Sequence, residues 1–365
     1  MGRAAALIEE VVRVALRERV RLRRGENLLI ESWPHGLEIA REAVLQARAM
    51  GARPMVILED EQALFRSLEA LRPGATGAGS HEWAALSKAN AYLFIPGPAD
   101  LPRAWAMGSK WAAAYPSNSE WYKRAKRARI RGVRLLYGWT SPERAAAYGL
   151  DLDAWRQMVL EAACVRPAEV RPKGRALSKI MARGKAVRIK APNGTDLALT
   201  LCGRAAQVDD GSVSEQDLED GENMSQAPAG QLWVAPDEKT AEGRLVADRP
   251  SLSLGRPVRG AEFEFRAGKL VASAFAEGGD RFAQAFAKAK GDKDRVGMLI
   301  FGLNPKVRAG FPQDAMAAGV VTLTLGYNDE LGGKNKTQFQ FLAPLASATV
   351  EVDGRPVVDA GRLAL

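Results

Sequence analysis

The hydrophobic pattern of this chain changes in its second half. In the first part, short apolar runs alternate with stretches in which apolar residues recur at helical spacing. The first such stretch predicts a helix over residues 4–20, with Leu7, Val11 and Ala15 on one face. Strands are predicted at 27–32, 54–60, 91–97 and 132–139, with helices at 37–50 and 61–71. Strands that alternate with helices predict an open α/β domain with a mainly parallel sheet.

The later part of the chain shows the alternation of apolar and polar residues that is typical of antiparallel strands. After helices predicted over 142–183, hairpins are predicted around Asn193-Gly194, Ala267-Gly268 and Asp353-Gly354. One further helix is expected at 279–290. We therefore predict an α/β domain over residues 1–175 and a mostly antiparallel β (α+β) domain over residues 176–365.

Composition is that of a soluble globular protein. The 365 residues suffice for two hydrophobic cores, and 47% of them are hydrophobic while 26% are charged. No window approaches the ~18 apolar residues of a membrane span, and the N-terminus lacks the uncharged core of a signal peptide. We expect a cytoplasmic protein with no membrane partner. Two cysteines are too few for a disulfide framework.

The net charge of +9 raises the question of a nucleic-acid partner. Much of this charge comes from basic stretches at 17–24 and 123–134. Solvated helix faces account for both stretches, and no recognisable RNA-binding motif surrounds them. Nucleic-acid binding is therefore not expected, and its sign would be a steep dependence of affinity on salt.

Histidine is rare in this sequence. His35 and His81 are both in the first quarter of the chain, and no histidine follows residue 81. A histidine-based site built within the C-terminal part alone is therefore excluded.

Seven segments carry a resemblance to a known family. They occur in that family's order: NGTDLALTLCGR (193–204), AGQLWVAPDE (229–238), EGRLVADRP (242–250), GMLIFGLNP (297–305), VVTLTLGYN (320–328), GGKNKTQFQFLAP (332–344) and VEVDGRPVV (350–358). Together they resemble the dinuclear aminopeptidases of the aminopeptidase T and aminopeptidase S type. The resemblance implies that family's fold for this chain.

In that family these segments hold two divalent metal ions. Carried over by the resemblance, the ligand positions fall on five residues that are neither acids nor histidines: Gln231, Met298, Thr322, Gln340 and Leu342. A tyrosine of the family corresponds to Tyr327. Two metals that generate a hydroxide need carboxylate and imidazole ligands, and a thioether or an alkyl chain cannot replace them at a hard dication. We therefore expect no metal, no cofactor and no metallopeptidase activity, as in a pseudoenzyme.

The same replacements predict a neutral cleft that binds an extended peptide. Trp233, Asn304, Tyr327 and Gln340 would offer hydrogen bonds and flat surface to it. Two alternatives stay open. The replaced positions would simply repack as core, or the protein would be an enzyme with non-metal acid/base chemistry on a peptide or small molecule. Acid pairs available for such chemistry are Asp209 with Asp210 and Asp237 with Glu238.

The resemblance also implies partners. Metal-free relatives resemble the peptide-binding accessory proteins of ribosomal-peptide natural-product (crocagin-like) pathways, so we expect a precursor or leader peptide as ligand. The basic surface favours an acidic peptide. Since the family forms dimers, a homodimer is expected.

Overall fold

A computed structural model describes residues 2–70, 72, 78–114 and 117–365. The chain divides into two compact units. Unit 1 comprises Met1–Pro167 and Gly211–Ala229, and unit 2 comprises Ala168–Asp210 and Gly230–Leu365. We predicted a single boundary at residue 175. Unit 1 also includes the segment 211–229, which lies beyond that boundary. No helix within the described ranges is both long and apolar enough to cross a membrane.

The helices and strands follow the predicted order along the chain. The α-helices are α1 (Arg3–Val14), α2 (Leu37–Ala49), α3 (Glu61–Ala70), α4 (Ser80–Lys88), α5 (Leu101–Ala106), α6 (Ser109–Ala114), α7 (Ser117–Arg127), α8 (Pro142–Tyr148), α9 (Leu152–Ala163), α10 (Pro167–Arg183), α11 (Glu215–Asp220) and α12 (Gly279–Lys288). The strands are β1 (Asn27–Ser32), β2 (Arg53–Leu58), β3 (Ala91–Phe94), β4 (Arg131–Leu135), β5 (Ala186–Ala191), β6 (Thr195–Thr200), β7 (Gln207–Asp209), β8 (Met224–Ala227), β9 (Gln231–Val234), β10 (Glu242–Val246), β11 (Glu262–Arg266), β12 (Lys269–Ala274), β13 (Val296–Gly302), β14 (Val321–Gly326), β15 (Gln340–Leu345), β16 (Thr349–Val352), β17 (Arg355–Asp359) and β18 (Arg362–Leu363).

Unit 1 contains the predicted parallel sheet, in the strand order β2-β1-β3-β4-β8. Its core forms where alternate residues of the strands, such as Leu28, Ile30 and Leu93, pack against the apolar face of α1. The α/β prediction is therefore confirmed. Strand β8 was not predicted, because MSQA is too short and too polar to stand out as a buried strand.

A buried arginine holds the returning segment in unit 1. The Arg19 side chain is fully buried, and its Nη1 donates to the Gly211 carbonyl oxygen at 3.0 Å. Its Nη2 donates to the carbonyl oxygens of Ala163 and Val165 at 2.9 and 2.8 Å. The Val213 N–H in turn donates to the Arg19 carbonyl oxygen. Burial of an arginine is tolerated because these carbonyl oxygens replace its hydration.

Unit 2 is built from two antiparallel sheets, as predicted. One has the order β12-β11-β10-β6-β5-β16-β17-β18 and the other, here called the site sheet, β15-β14-β13-β9-β7. The three predicted hairpins are present as β5–β6, β11–β12 and β16–β17. At the last turn Asp353 and Gly354 have φ of 51° and 78°, the left-handed backbone that a two-residue turn between twisted strands requires.

Phenylalanine side chains form much of the core between α12 and these sheets. Phe282 of α12 lies 5.0 Å from Phe341 of β15 and 5.7 Å from Phe263 of β11, measured between ring centroids. Phe286 and Phe339 extend the cluster, with centroids 5.5 Å apart. Helix α12 is thereby fixed against β15, the outer strand of the site sheet.

Candidate functional site

Strand register places most of the predicted site residues on one face of the site sheet. Ile300 of β13 lies opposite both Trp233 and Thr322, and Gly302 lies opposite Gln231. On the other side of β14, Thr324 pairs with Leu342 and Gly326 pairs with Gln340. Residues directly opposite each other in a sheet project to the same side. The sheet therefore gathers Gln231, Trp233, Thr322, Gln340 and Leu342 on a single surface, here called the site face.

Met298 lies on the same face as Ile300, which is two residues further along β13. The pairing of β13 with β14 shifts between Val296 and Leu299, so that one extra residue is accommodated in a bulge. The Met298 N–H donates to Oγ1 of Thr324 at 2.8 Å, which holds the bulge in place. The Met298 side chain is 8% exposed and packs with Ile300, Ala235, Ala315 and Leu331, with Trp233 against them.

The site face therefore combines an apolar patch with uncharged polar groups. Thr322 is fully buried, and its hydroxyl has no hydrogen-bond partner among the described residues. Gln231 is buried, whereas Trp233, Gln340 and Leu342 remain half-buried. A buried hydroxyl without a partner is costly, and this one lies on the same sheet face as Trp233, Gln340 and Leu342.

Two of the predicted residues lie beyond the site-sheet strands. Asn304 follows β13 and is 1% exposed, and its Oδ1 accepts the N–H groups of Lys306 and Val307 at 2.9 and 3.3 Å. This use of the carboxamide oxygen stabilises a turn. Tyr327 follows β14 and is half-buried. Burial raises the pKa of its phenol, and the nearby Glu330 and Asp329 raise it further.

The residues at the implied ligand positions do not fit a pair of divalent metals. Gln231 and Gln340 offer amides, Thr322 a neutral hydroxyl, and Met298 and Leu342 no ligand suited to a hard cation. Across the described part of the chain, no group of three or more histidine, cysteine, aspartate or glutamate side chains is arranged to hold a metal ion.

Glu238 occupies the centre of a buried polar network in unit 2. Its Oε1 lies 2.8 Å from Nη1 of Arg204 and accepts Nδ2 of Asn328 at 2.9 Å and the Lys334 N–H at 2.7 Å. Its Oε2 accepts Nη2 of Arg204 at 3.0 Å. Burial raises the pKa of this carboxyl, but the hydrogen bonds outweigh burial and lower the pKa to about 2. Glu238 is therefore a permanent counter-ion, unsuited to proton transfer near neutral pH.

The other acids proposed for non-metal chemistry are also engaged in structural contacts. Asp210 accepts Nε of Arg171 at 2.6 Å. Asp237 accepts the Lys239 N–H at 2.9 Å.

In unit 1, His35 shares a 2.8 Å hydrogen bond between its Nε2 and the Gly138 carbonyl oxygen. None of these three contacts forms a nucleophile–base pair.

Asp314 is a titratable residue near the site face that sequence reasoning missed. It is 5% exposed and precedes Ala315, which packs on Met298 and its apolar neighbours. Its Oδ1 accepts the N–H groups of Gly310 and Phe311 at 2.6 and 3.1 Å. Burial raises the pKa of its carboxyl to about 6, although these hydrogen bonds oppose the rise. In the sequence only the buried-loop segment FPQDAM marks it, and that segment has no recognisable pattern.

Comparison with known families gives a match in the region of the site. A family model described as thermophilic metalloprotease (M29) matches residues 172–298, less than half of the chain. No curated protein shows significant similarity to the sequence.

Solved structures match the chain over almost its whole length. Wild-type AmpT from Thermus thermophilus superposes with a TM-score of 0.74 at 20% identity, covering 99% of each chain. 2,5-Dihydroxypyridine dioxygenase from Pseudomonas putida KT2440 superposes with a TM-score of 0.62 at 16% identity, covering 99% of this chain and 96% of the other. The chain therefore has an aminopeptidase T-like fold, and the predicted fold class is confirmed.

Proposed function

We propose that this protein binds a peptide on an aminopeptidase-like scaffold without a metal and releases it unchanged. The observation that carries the proposal is the combination of the retained fold with a site face that has no charged side chain at the implied ligand positions. Amide groups on that face would pair with a peptide backbone, and the apolar patch around Met298 would receive a side chain.

The hydroxyl of Thr322, which has no hydrogen-bond partner among the described residues, favours ligand binding over the alternative in which the implied ligand positions are repacked as core. A position that had become ordinary core would favour valine, which has the same shape and no group to satisfy. Trp233, Gln340 and Leu342 remain half-buried on the same face, so part of it is accessible. Thr322 itself is fully buried, so a peptide N–H or carbonyl group would reach its hydroxyl only when neighbouring side chains on this face move aside.

Calorimetry with candidate peptides tests this proposal. We expect micromolar or tighter binding that is equal in a chelator and in zinc, cobalt or manganese, and mass spectrometry should return the peptide intact. A shortened peptide that appears only with metal would show that the implied ligand positions are misassigned and that the protein is a working peptidase.

A pair of threonine variants separates a binding role from a structural one. Thr322→Val should weaken peptide binding about tenfold, because a ligand loses its hydroxyl partner, while stability holds or rises by about 1 kcal/mol. The matched control is Thr324→Val, in which the hydroxyl that accepts the Met298 N–H is lost. That variant should lose about 1 kcal/mol of stability. Unchanged peptide affinity in Thr322→Val would contradict a role for this hydroxyl.

Asp314 supports a second candidate, acid/base chemistry without a metal. A carboxyl with a pKa of about 6 beside the site face can exchange a proton near neutral pH. The dioxygenase with a similar fold illustrates that such a scaffold is not restricted to peptide hydrolysis. This candidate predicts a metal-independent change in peptide mass that disappears in Asp314→Asn while affinity is retained.

Assembly and pathway are part of the same proposal. We propose a homodimer, and a precursor or leader peptide made for other biosynthetic enzymes as the ligand. Sedimentation analysis of the free protein tests the first statement. Binding of a leader peptide in preference to a scrambled peptide of the same composition tests the second.

A further inference from the structure

A pocket of about 540 Å³ opens in unit 2 at the end of α12. Two segments form much of its wall, one at the end of α12 and the other leading into β15. Tyr327 also lines the pocket, and Gly326, the residue before it, pairs with Gln340 of the site face. The pocket therefore adjoins the ends of β14 and β15. It lies on the side of the site sheet where α12 packs on Phe341, opposite to the side that carries Gln340 and Leu342.

Three lysines line this pocket, here called the lysine pocket: Lys288, Lys290 and Lys336. All three are exposed, and no acidic side chain within the described residues forms an ion pair with them. Asp329 is the acid among the lining residues, so the lysines are in excess. Three ammonium groups around one concavity raise its affinity for anions.

Neighbouring cationic groups already have partners, which distinguishes them from the three lysines. Nζ of Lys293 donates to the carbonyl oxygens of Phe286 and Ala289 and so satisfies the end of α12. Arg295 lies 3.6 Å from the Asp292 carboxylate. The end of the helix is thus stabilised by Lys293, and the three pocket lysines are not needed for that purpose.

The wall of the lysine pocket is held by buried side chains. Asn335 is 3% exposed, and its Nδ2 donates to the carbonyl oxygens of Val296 and Gly326 at 3.0 and 2.6 Å. The next residue, Lys336, donates its N–H to Oδ2 of Asp292 at 2.9 Å. Phe339 packs on Phe286 of α12. The backbone that carries Lys336 is therefore fixed before any ligand arrives, which lowers the entropy lost on binding.

We propose that the lysine pocket receives a carboxylate side chain, glutamate or aspartate, of a peptide that extends from the site face around the ends of β14 and β15. The inference rests on the proposed peptide binding and specifies which peptides are preferred. A carboxylate gains charge-assisted hydrogen bonds from the lysines, whereas a glutamine of the same size does not. The pocket thus selects acidic segments over neutral ones.

Fluorescence anisotropy with two capped, labelled octapeptides, all-glutamate and all-glutamine, tests this proposal at low ionic strength. Wild-type protein should bind the glutamate peptide about tenfold more tightly, which is about 1.4 kcal/mol. The variant Lys288→Gln/Lys290→Gln/Lys336→Gln should lose that preference. The control Lys190→Gln/Lys239→Gln/Lys269→Gln removes the same charge from exposed lysines elsewhere in unit 2 and should retain it.

Each other outcome overturns a specific statement. If both triple variants lose the preference for the glutamate peptide equally, that preference arises from net charge alone, and the proposed role of the lysine pocket is refuted. Neutral peptides that bind wild type and pocket variant alike, with no preference for glutamate, would refute the pocket and leave the proposed function intact. If neither peptide binds but citrate does, the proposed function fails. If octathymidylate binds through the same lysines more tightly than the glutamate peptide does, the ligand of the pocket is a nucleic acid and the proposed peptide ligand is refuted.

Discussion

Replacing Glu238 by glutamine tests whether its buried network holds unit 2 together around the site. Both carboxylate oxygens accept N–H groups, from Arg204, Asn328 and Lys334. In either orientation of its amide, a glutamine places its NH₂ group, a donor, against one of these N–H donors, so the hydrogen bond there is lost. It also leaves the Arg204 guanidinium, whose side chain is 13% exposed, without a counter-ion.

The lowered pKa of Glu238 sets the size of the effect. A fall from 4.5 to about 2 means that the folded state favours the ionised carboxyl by about 3 kcal/mol over the unfolded chain. This stabilisation is complete above pH 4.5 and is lost as the pH falls toward 2. Glu238→Gln should therefore cost about 3 kcal/mol at pH 7, and the difference from wild type should shrink below pH 4.

Urea denaturation followed by circular dichroism at pH 7 and at pH 3 measures this difference. The matched control is Asp237→Asn, which removes the adjacent carboxylate; in the structure this carboxylate accepts the Lys239 N–H. We expect the control to cost less than about 1 kcal/mol. A cost below 1 kcal/mol for Glu238→Gln at pH 7, or a cost that is the same at both pH values, would refute the argument.

Three further substitutions test other parts of the structure. Met298→Glu places a carboxylate in the apolar patch and should cost about 3 kcal/mol at pH 7 and less at pH 4; no cost would mean that this position is solvated. Phe282→Ala removes the centre of the phenylalanine cluster and should lower the free energy of unfolding by about 3–5 kcal/mol, measured by thermal or urea unfolding. The control, Val271→Ala at an exposed position, should lower it by about 1 kcal/mol or less. Burial raises the pKa of Glu31 to about 7 despite its hydrogen bond from Tyr92, so wild-type stability falls as pH rises from 4.5 through 7. Glu31→Gln should therefore be about 3 kcal/mol more stable than wild type at pH 8 and equal to it at pH 4. A difference in stability that is the same at both pH values would contradict the assigned titration.

Local pattern was sufficient for the elements that form from neighbouring residues. The hairpin at Asp353-Gly354 was predicted because those residues tolerate the positive φ of a tight turn, and the structure has that turn. The helix predicted at 279–290 is present as Gly279–Lys288. Strand β8 escaped prediction because its partner, β4, lies far from it in sequence, and MSQA has no apolar run of its own.

For the candidate site, too, part of the chemistry was predictable from residue identity and part depended on the folded structure. Residue identity alone shows that no histidine follows residue 81 and that the positions which the family resemblance assigns to metal ligands carry no acid. The strand register of the folded chain was needed to place Gln231, Thr322 and Leu342 on one face, because a shift of one residue in register would turn a side chain to the opposite side.

The network of Glu238 and the lysine pocket also depended on the tertiary structure. Glu238 and Asn328 are ninety residues apart in the chain, and their contact exists only because the folded backbone brings them together. Lys288 and Lys336 lie on separate segments that meet at one pocket for the same reason. Sequence states which charges and hydrogen-bonding groups are available, and the long-range packing of the strands determines which of them become partners.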